Sequence, residues 1–257
     1  MTGKYNNFIF ERFFTAMLVK SKGVILHQIK YTDSGIIVQA YTRELGRLSI
    51  LVKGMRSKKS GRHSVLFQPM LVLDLVFYYK QSRSIQLLKE FSVSYLPADI
   101  YTDVKKSCIA LFLGEVLTAV LKEESPHLEL YDFIEDSVRY FDNSRTGFSN
   151  FHIAFLIGLS SYLGFEPATS NDDRNKYFDL LNGIFVPFPP AHADFADIEI
   201  SGILGMFFSI SYEQIGNIPL TGKQRNEVLE TLLRYYSIHL PGLKKIQSLE
   251  VLKEIFN

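Results

Sequence analysis

The sequence contains few groups of residues whose types and spacing could support catalysis. The closest is the segment from Gly216 to Lys223, which resembles a phosphate-binding P-loop. It has one residue too many between its glycines, and Gln224 follows the lysine where a P-loop has serine or threonine. Because that loop surrounds phosphates in a strict geometry, we interpret the segment as a loop and helix cap. The sequence also lacks the motifs of serine hydrolases, zinc proteases and dinucleotide-binding folds.

The residues that could bind a metal ion are scattered along the chain. Zinc needs three or four converging ligands, whereas the six histidines are dispersed and Cys108 is the single cysteine. His192 and Asp194 form a close histidine–carboxylate pair, but their proline-rich surroundings favour an exposed loop. Three pairs of adjacent carboxylates could act as acid and base, yet each falls on a predicted loop or polar helix face: Asp172-Asp173, Glu123-Glu124 and Glu135-Asp136. The sequence therefore predicts no catalytic residue, no metal site and no cofactor.

A basic segment between Leu51 and Gln68 is the feature that stands out. It places five cations within ten residues and no acid among them: Lys53, Arg56, Lys58, Lys59 and Arg62. Its glycines and serines leave the backbone free to follow a phosphate chain, and each phosphate neutralised releases counterions. The segment predicts DNA binding that does not depend on base sequence, in an interface that also includes Lys30, Arg43 and Arg47. The alternative is a solvated hairpin loop.

Aromatic residues close to this segment could stack on unpaired bases. A small barrel also needs aromatic residues in its core. Because side chains alternate along a strand, Tyr78 faces opposite to Phe77 and Tyr79. We take Tyr41 and Tyr78 as the candidates for base stacking.

Charge is unevenly distributed along the chain. The net charge is only +1, but residues 17–80 contain eleven lysines and arginines against three acids. Residues 81–257 contain fifteen basic residues against twenty-three acids. Such asymmetry indicates a nucleic-acid or membrane face on the first part of the chain only.

The same first part reads as β-structure. Its apolar runs are short and separated by turn residues, and they predict five strands: Lys20 to Tyr31, Ser34 to Thr42, Arg47 to Val52, Leu71 to Tyr79 and Ser84 to Tyr95. No helix long enough for a parallel crossover lies between them. We therefore expect a closed antiparallel barrel, of the OB-fold or SH3-like type, since an open sheet would leave two edges exposed.

After Pro97 the apolar period lengthens to that of helices. Helices are predicted for Val104 to Leu121, His127 to Tyr140 and Ser149 to Leu163, for a segment capped at Thr221, and for Ser248 to Phe256. Between them, residues 164–194 contain a polar run and several prolines, which predict a long loop or small hairpin. The fold class is thus α+β, with a five-stranded barrel followed by an all-α domain that carries an insertion.

A length of 257 residues favours two domains. Residues 1–16 mix charges into an aromatic stretch and lack the apolar centre of a signal peptide. Met17 is a candidate native start, so we expect an N-terminal extension (1–16), a DNA-binding barrel domain (17–97) and a helical domain (98–257). With one cysteine and no apolar run of about 18 residues, the chain is expected to be soluble and cytoplasmic, without a membrane partner.

These residues resemble a known family, the RecO recombination mediators. The motifs of the first part are Gly23-Val24-Ile25-Leu26, Tyr31-x-Asp33-Ser34, Tyr41-Thr42-Arg43-Glu44-x-Gly46-Arg47, Val52-Lys53-Gly54-x-Arg56-Ser57-x-Lys59-Ser60 and Leu66-Phe67-Gln68-Pro69. Those of the second part are Tyr162-Leu163-Gly164-Phe165-x-Pro167 and His239-Leu240-x-Gly242-x-Lys244-x-x-x-Ser248-Leu249-x-Val251-Leu252. The resemblance covers residues 17–256.

The resemblance implies an OB fold followed by a helical domain, and three activities. These are binding of single- and double-stranded DNA, annealing of complementary strands, and loading of RecA together with RecR onto coated single strands, at the nucleoid. It also implies docking on the acidic, Phe-ending tail of single-stranded DNA-binding protein. An acidic tail needs an apolar pocket bordered by cations, and two groups could provide one: Lys105 with Lys106, or Arg225 with Arg234.

In one respect the sequence departs from this family. Many members hold a zinc ion through two Cys-x-x-Cys pairs, whereas residues 164–194 contain no cysteine. We expect a metal-free insertion held by packing of Phe178, Phe185 and Phe188. Two other classes stay open, an RNA-binding OB-fold module and a protein-interaction scaffold without a role in recombination. Binding to DNA that weakens steeply with salt would separate the mediator from the scaffold, and competition between DNA and RNA from the RNA-binding module.

Overall fold

The computed structural model describes residues 16–32, 35–53, 67–122, 125–168 and 176–256. They group into two compact units. The barrel unit lies within Met1–Ala98 and Gly114–Val138, and the helical unit within Asp99–Leu113 and Arg139–Asn257. Each unit thus combines separate stretches of the chain, and the predicted boundary at residues 97 and 98 stays a prediction.

Five β-strands of the described residues build the barrel, as the sequence predicts. They are β1 (Met17–Lys30), β2 (Ile36–Thr42), β3 (Gly46–Val52), β4 (Val72–Tyr79) and β5 (Ile85–Tyr95). Their order is β1-β2-β3-β5-β4, and the sheet closes because the long β1 pairs with both β2 and β4. Strands β3 and β5 run parallel, whereas the other four pairs are antiparallel, so the barrel is not antiparallel throughout as expected. This arrangement is an OB fold.

Alternation along the strands creates the barrel core. In β3, Leu48, Ile50 and Val52 are buried while the residues between them are half-buried. The turn from β2 to β3 requires Gly46, whose φ of 66° lies in the left-handed region. A β-carbon there would lie 2.4 Å from the carbonyl oxygen of Ser125, so this turn also accommodates a close approach of the backbone.

Residues 114–138 cover one side of the barrel. Gly114 approaches β1 so closely that a β-carbon would lie 2.5 Å from the carbonyl oxygen of Leu26. The buried carboxylate of Glu135 lies 3.8 Å from Lys22, which corrects the expectation that Glu135 belongs to a solvated helix face. A carboxylate on the inner side of a covering helix needs such a partner because burial penalises its charge.

Seven α-helices follow within the described residues. They are α1 (Ala98–Thr102), α2 (Val104–Val120), α3 (Leu128–Asn143), α4 (Phe151–Tyr162), α5 (Ile198–Phe208), α6 (Gly222–His239) and α7 (Ser248–Phe256), with 3-10 turns at Phe148–Asn150 and Tyr212–Asn217. The long predicted helices are confirmed, and α5 was missed. Its start is nonetheless encoded locally, because the side chain of Asp197 accepts a hydrogen bond from the Ile200 amide. The described helices do not combine the length and apolar character that crossing a membrane requires.

The P-loop-like segment is a helix cap, as expected. The hydroxyl of Thr221 accepts a hydrogen bond from the Gln224 amide, and the Gln224 side chain accepts one from the Thr221 amide. This reciprocal pair is a capping box that begins α6.

The insertion, together with two residues just beyond its predicted end at residue 194, forms a small three-stranded sheet. Its strands are β6 (Tyr177–Asp179), β7 (Ile184–Val186) and β8 (Phe195–Ala196), in the order β7-β6-β8. Phe178 is fully buried, with its ring centroid 5.0 Å from that of Phe185 and 5.6 Å from that of Phe208. Phe188, by contrast, is 76% exposed, so it does not take part in the expected packing. It follows Pro187 in the loop after β7.

Candidate nucleic-acid interface

An apolar row runs around the outer face of the barrel. Strand register places these residues opposite one another in turn, and alternation directs them away from the core. In order around the barrel, the apolar row consists of Leu18, Tyr78, Leu87, Leu51, Ile37 and Ile29. Leu18, Tyr78 and Ile29 are exposed, and the other three are half-buried.

Lysines border the apolar row on both sides. Lys20 and Lys53 follow Leu18 and Leu51 by two residues on strands that run in the same direction, so they lie on one side of the row. Lys80 follows Tyr78 by two residues on an antiparallel strand and therefore lies on the other side. Apolar and aromatic surface between cations suits a single strand, whose bases stack while its phosphates meet the lysines.

The predicted cations fall into three groups. Lys30 and Lys53 are exposed and lie at the same end of the barrel, because Ile36 pairs with both Lys30 and Val52. Four others lie outside the described residues: Arg56, Lys58, Lys59 and Arg62. The third group, Arg43 and Arg47, forms an ion pair and hydrogen bonds within the barrel unit.

Arg43 and Arg47 hold the covering residues 114–138. Arg43 forms an ion pair with Asp132, and that hydrogen bond is the main reason why its pKa is raised. Its guanidinium carbon also lies 5.6 Å from the ring centroid of Tyr131. Arg47 donates to the carbonyl oxygen of Leu121 and to the side chain of Gln39, both at 2.9 Å. These contacts leave Arg43 and Arg47 less available to phosphates than the exposed lysines.

The two candidate stacking residues differ in exposure. Tyr78 is 38% exposed within the apolar row. Tyr41 is only 3% exposed, and its ring is stacked on that of Tyr131 with centroids 6.5 Å apart. Tyr41 is therefore packed beneath the covering residues and is not a stacking platform, which corrects that prediction.

The candidate cations of the helical unit are also unequal. Lys106 is 3% exposed, and its ammonium donates to the carbonyl oxygen of Asp142 at 2.8 Å and faces the ring of Phe148. Lys106 lines an open pocket with Arg145 and Phe148, but its ammonium is bonded inside the protein and is not an exposed cation at a pocket rim as expected. Arg234 is bound to the carboxylate of Asp194 at 2.6 Å. Lys105 and Arg225, one from each predicted pair, both face the ring of Phe256.

The insertion contains a carboxylate that links its segments. Asp179 accepts hydrogen bonds from the Leu181 amide and from the backbone and side chain of Asn182, and lies 3.4 Å from Nε2 of His192. Burial raises the pKa of Asp179, but these hydrogen bonds outweigh burial and the pKa is lowered overall. No group of three or more histidine, cysteine, aspartate or glutamate side chains suited to a metal ion occurs among the residues the structure describes. With a single cysteine, the chain cannot supply the two Cys-x-x-Cys pairs that such a zinc site uses.

Comparison with known proteins gives consistent matches over both parts of the chain. Residues 17–96 match the family model described as Recombination protein O N terminal, and residues 101–249 match Recombination protein O C terminal. A protein of Phocaeicola vulgatus named DNA repair protein RecO is 36% identical over 241 residues, which are 94% of this chain and all of that protein. Proteins with the same name from Bacteroides fragilis and Flavobacterium psychrophilum are 36% and 31% identical, again over 94% of this chain and their full length.

Proposed function

The chain belongs to the Recombination protein O family, and from this premise we propose that it is a DNA repair and recombination mediator that binds DNA through the barrel and catalyses no reaction. It binds single and double strands irrespective of sequence and anneals complementary strands. Together with RecR, it helps to load RecA onto strands coated with single-stranded DNA-binding protein. Such a role places it in the cytoplasm, at the nucleoid.

The main support for this proposal is the apolar row of the barrel, which lysines border on both sides. Nucleic-acid affinity at such a surface comes from phosphate neutralisation, while stacking distinguishes single strands from duplexes. Lys20, Lys30, Lys53 and Lys80 are the described cations that we assign to phosphate binding, with Arg43 and Arg47 in a lesser role. Tyr78 is the residue that we assign to base stacking. Arg56, Lys58, Lys59 and Arg62 lie outside the described residues, and we assign them to DNA binding from the sequence alone.

A salt titration of DNA binding tests this assignment. For single-stranded DNA, log affinity should fall linearly with log salt, and removing one phosphate-binding cation should reduce the slope by about 0.7. We expect the double variant Lys20→Ala, Lys53→Ala to reduce the slope, whereas Lys223→Ala, Lys244→Ala, at exposed lysines of the helical unit, should leave it unchanged. Tyr78→Ala should weaken single-strand binding by about 1 to 3 kcal/mol per stacked base and spare duplex binding.

Three results would contradict the proposal. Equal affinity at low and high salt would remove the electrostatic basis of binding and favour a protein-interaction scaffold. An equal reduction of affinity in the barrel variant and the helical-unit variant would mean that the barrel has no special role. Preference for RNA over DNA of the same sequence would instead support an RNA-binding module.

The helical unit is the partner-binding side in this proposal. An acidic tail ending in phenylalanine, as on single-stranded DNA-binding protein, needs an aromatic pocket next to cations. Lys105 and Arg225 provide that combination around Phe256. Lys106 is buried and Arg234 is paired with Asp194, so both contribute less to the proposed site.

A further inference from the structure

Phe256, in the last turn of α7, occupies an aromatic and cationic pocket of the helical unit. Its ring stacks on His152, with centroids 6.0 Å apart and planes inclined by 26°. The guanidinium carbon of Arg225 lies 5.1 Å from the Phe256 ring centroid, and Nζ of Lys105 lies 5.7 Å from it. Phe112 packs against His152 with an edge-on geometry. We call Lys105, Phe112, His152 and Arg225 the Phe256 pocket.

Arg225 is held in place by groups other than Phe256. Its Nε donates to the side-chain oxygen of Asn150 at 3.0 Å, and Nη2 donates to the carbonyl oxygen of Leu220 at 3.1 Å. The residue is 8% exposed. Because these bonds fix the guanidinium, its face would stay available to another aromatic ring if Phe256 left.

One ring nitrogen of His152, at the Phe256 pocket, has no hydrogen-bond partner among the described residues. His152 is 1% exposed, and this nitrogen is its Nδ1. A buried polar atom without a partner costs about 1 to 3 kcal/mol, and such atoms are uncommon in native proteins. The ring of Phe256 covers the imidazole without supplying a partner. Because Phe256 stacks on the face of the imidazole, and a ring nitrogen forms hydrogen bonds in the plane of its ring, the contact between the two rings involves packing and no hydrogen bond.

Helix α7, which places Phe256 in the pocket, is short. It has nine residues, below the length at which an isolated helix is stable in water. Leu249, Leu252 and Phe256 anchor it, and Lys253 pairs with Glu230 of α6. Phe256 belongs to the last turn, where helices fray most readily. An opening confined to the last turn would release Phe256 without requiring Leu249, in the first turn, to leave its place.

We propose that Phe256 is an internal occupant of a peptide-binding pocket, and that an acidic peptide with an aromatic side chain displaces it. The end of α7 itself combines an acidic and an aromatic side chain, because Glu254 precedes Phe256 by two residues. An aromatic ring fits between Arg225 and His152, and carboxylates beside it are attracted by Lys105 and Arg225. This inference rests on the proposed binding of an acidic, Phe-ending tail, and it adds that the site is closed in the free protein.

A closed site lowers the apparent affinity by the fraction of molecules that are open. Removing the internal ring should therefore strengthen peptide binding, whereas removing a side chain that merely touches the peptide would weaken it. If about one molecule in ten is open, Phe256→Ala should strengthen binding on the order of tenfold. The direction of this change distinguishes an occupant from a contact residue.

The experiment is a fluorescence-anisotropy titration of the full chain with a synthetic aspartate-rich peptide that ends in phenylalanine. We expect Phe256→Ala to bind more tightly than the unmodified chain. Val251→Ala, at a position 47% exposed on the same helix, should have no effect. Adding Lys105→Glu to Phe256→Ala should weaken binding, and a peptide with alanine in place of its phenylalanine should not bind. Far-ultraviolet circular dichroism verifies that each variant is folded.

Hydrogen exchange on the unmodified chain gives a second readout that does not depend on a variant. Peptide should reduce the protection of amides in the last turn of α7 and leave that of α6 unchanged. Unchanged protection of α7 on binding, or equal affinity of Phe256→Ala and the unmodified chain, would overturn the internal occupant. If Lys105→Glu still weakened peptide binding in that case, the proposed tail site would stand without the occupant. Absence of peptide binding by every variant would reject both, while the DNA titration would still test the barrel.

Discussion

Burial separates residues that look equivalent in the sequence. Tyr41 and Tyr78 are both strand tyrosines that point away from the barrel core, yet only Tyr78 is exposed. Alternation assigns a side chain to a face of the sheet, but it does not tell whether another segment covers that face. The same reasoning separates Lys53, which is exposed, from Lys106, which is buried against Phe141 and Phe148.

At the scale of one residue, His152 should make the free energy of unfolding depend on pH. Burial, followed by the positive charge of Arg225, lowers its pKa to about 3. Between pH 6.5, the ordinary value, and about 3, the unfolded chain binds a proton that the folded chain does not. His152 should therefore reduce the free energy of unfolding as pH falls through this window, by at most about 1.4 kcal/mol per pH unit.

Urea unfolding at several pH values measures this effect. His152→Leu should flatten the loss of stability between pH 6.5 and about 3, because leucine takes up no proton. His27→Leu, at an exposed histidine, is the matched control and should keep the original slope. An unchanged slope in His152→Leu would assign the pH dependence to other groups.

At the scale of elements, register decides which residues meet. The members of the apolar row are separated in the sequence and come from all five barrel strands. The sequence pointed to Tyr78 but not to Leu18, Leu87 or Ile37, since none of these three is unusual for a strand. The alternation of side chains along each strand could have indicated which residues face outward. The apolar row, however, forms only when strand pairing aligns these residues.

The turn between β2 and β3 provides a test at this scale. Gly46→Ala should destabilise the protein by about 2 kcal/mol, since alanine disfavours a positive φ and its β-carbon would clash with the Ser125 backbone. Gly202→Ala should act in the opposite direction, because Gly202 is exposed in α5 with nothing within 4 Å of a β-carbon. Thermal unfolding measures both variants. A Gly46→Ala variant as stable as the original chain would show that the turn tolerates a side chain.

At the scale of the whole molecule, the barrel depends on residues distant in the sequence. Residues 114–138 belong to the barrel unit, where they cover Tyr41 and bind Arg43 and Arg47. The sequence assigns residues 98–257 to one helical domain, and that boundary stays a prediction. Helical periodicity reports secondary structure and does not report the surface on which a helix packs.

Truncation tests this dependence. A fragment of residues 17–97 should lose cooperative thermal unfolding and bind a hydrophobic dye, since it exposes the surface around Tyr41. A fragment of residues 17–138 retains the covering segment and should unfold cooperatively at a higher temperature. Equal, cooperative unfolding of both fragments would mean that the five strands are stable alone.

The amino-acid sequence by itself determined the five strands, the long helices, the α6 capping box, the basic first part and the family resemblance. All of these depend on local composition, on periodicity or on residues close together in the chain. Only the tertiary structure decided that Tyr41 is covered, that Lys106 is buried, that six apolar residues form one row, and that Lys105 and Arg225 meet at Phe256. These are contacts between residues far apart in the sequence, and they follow from how whole elements pack, which no single segment encodes.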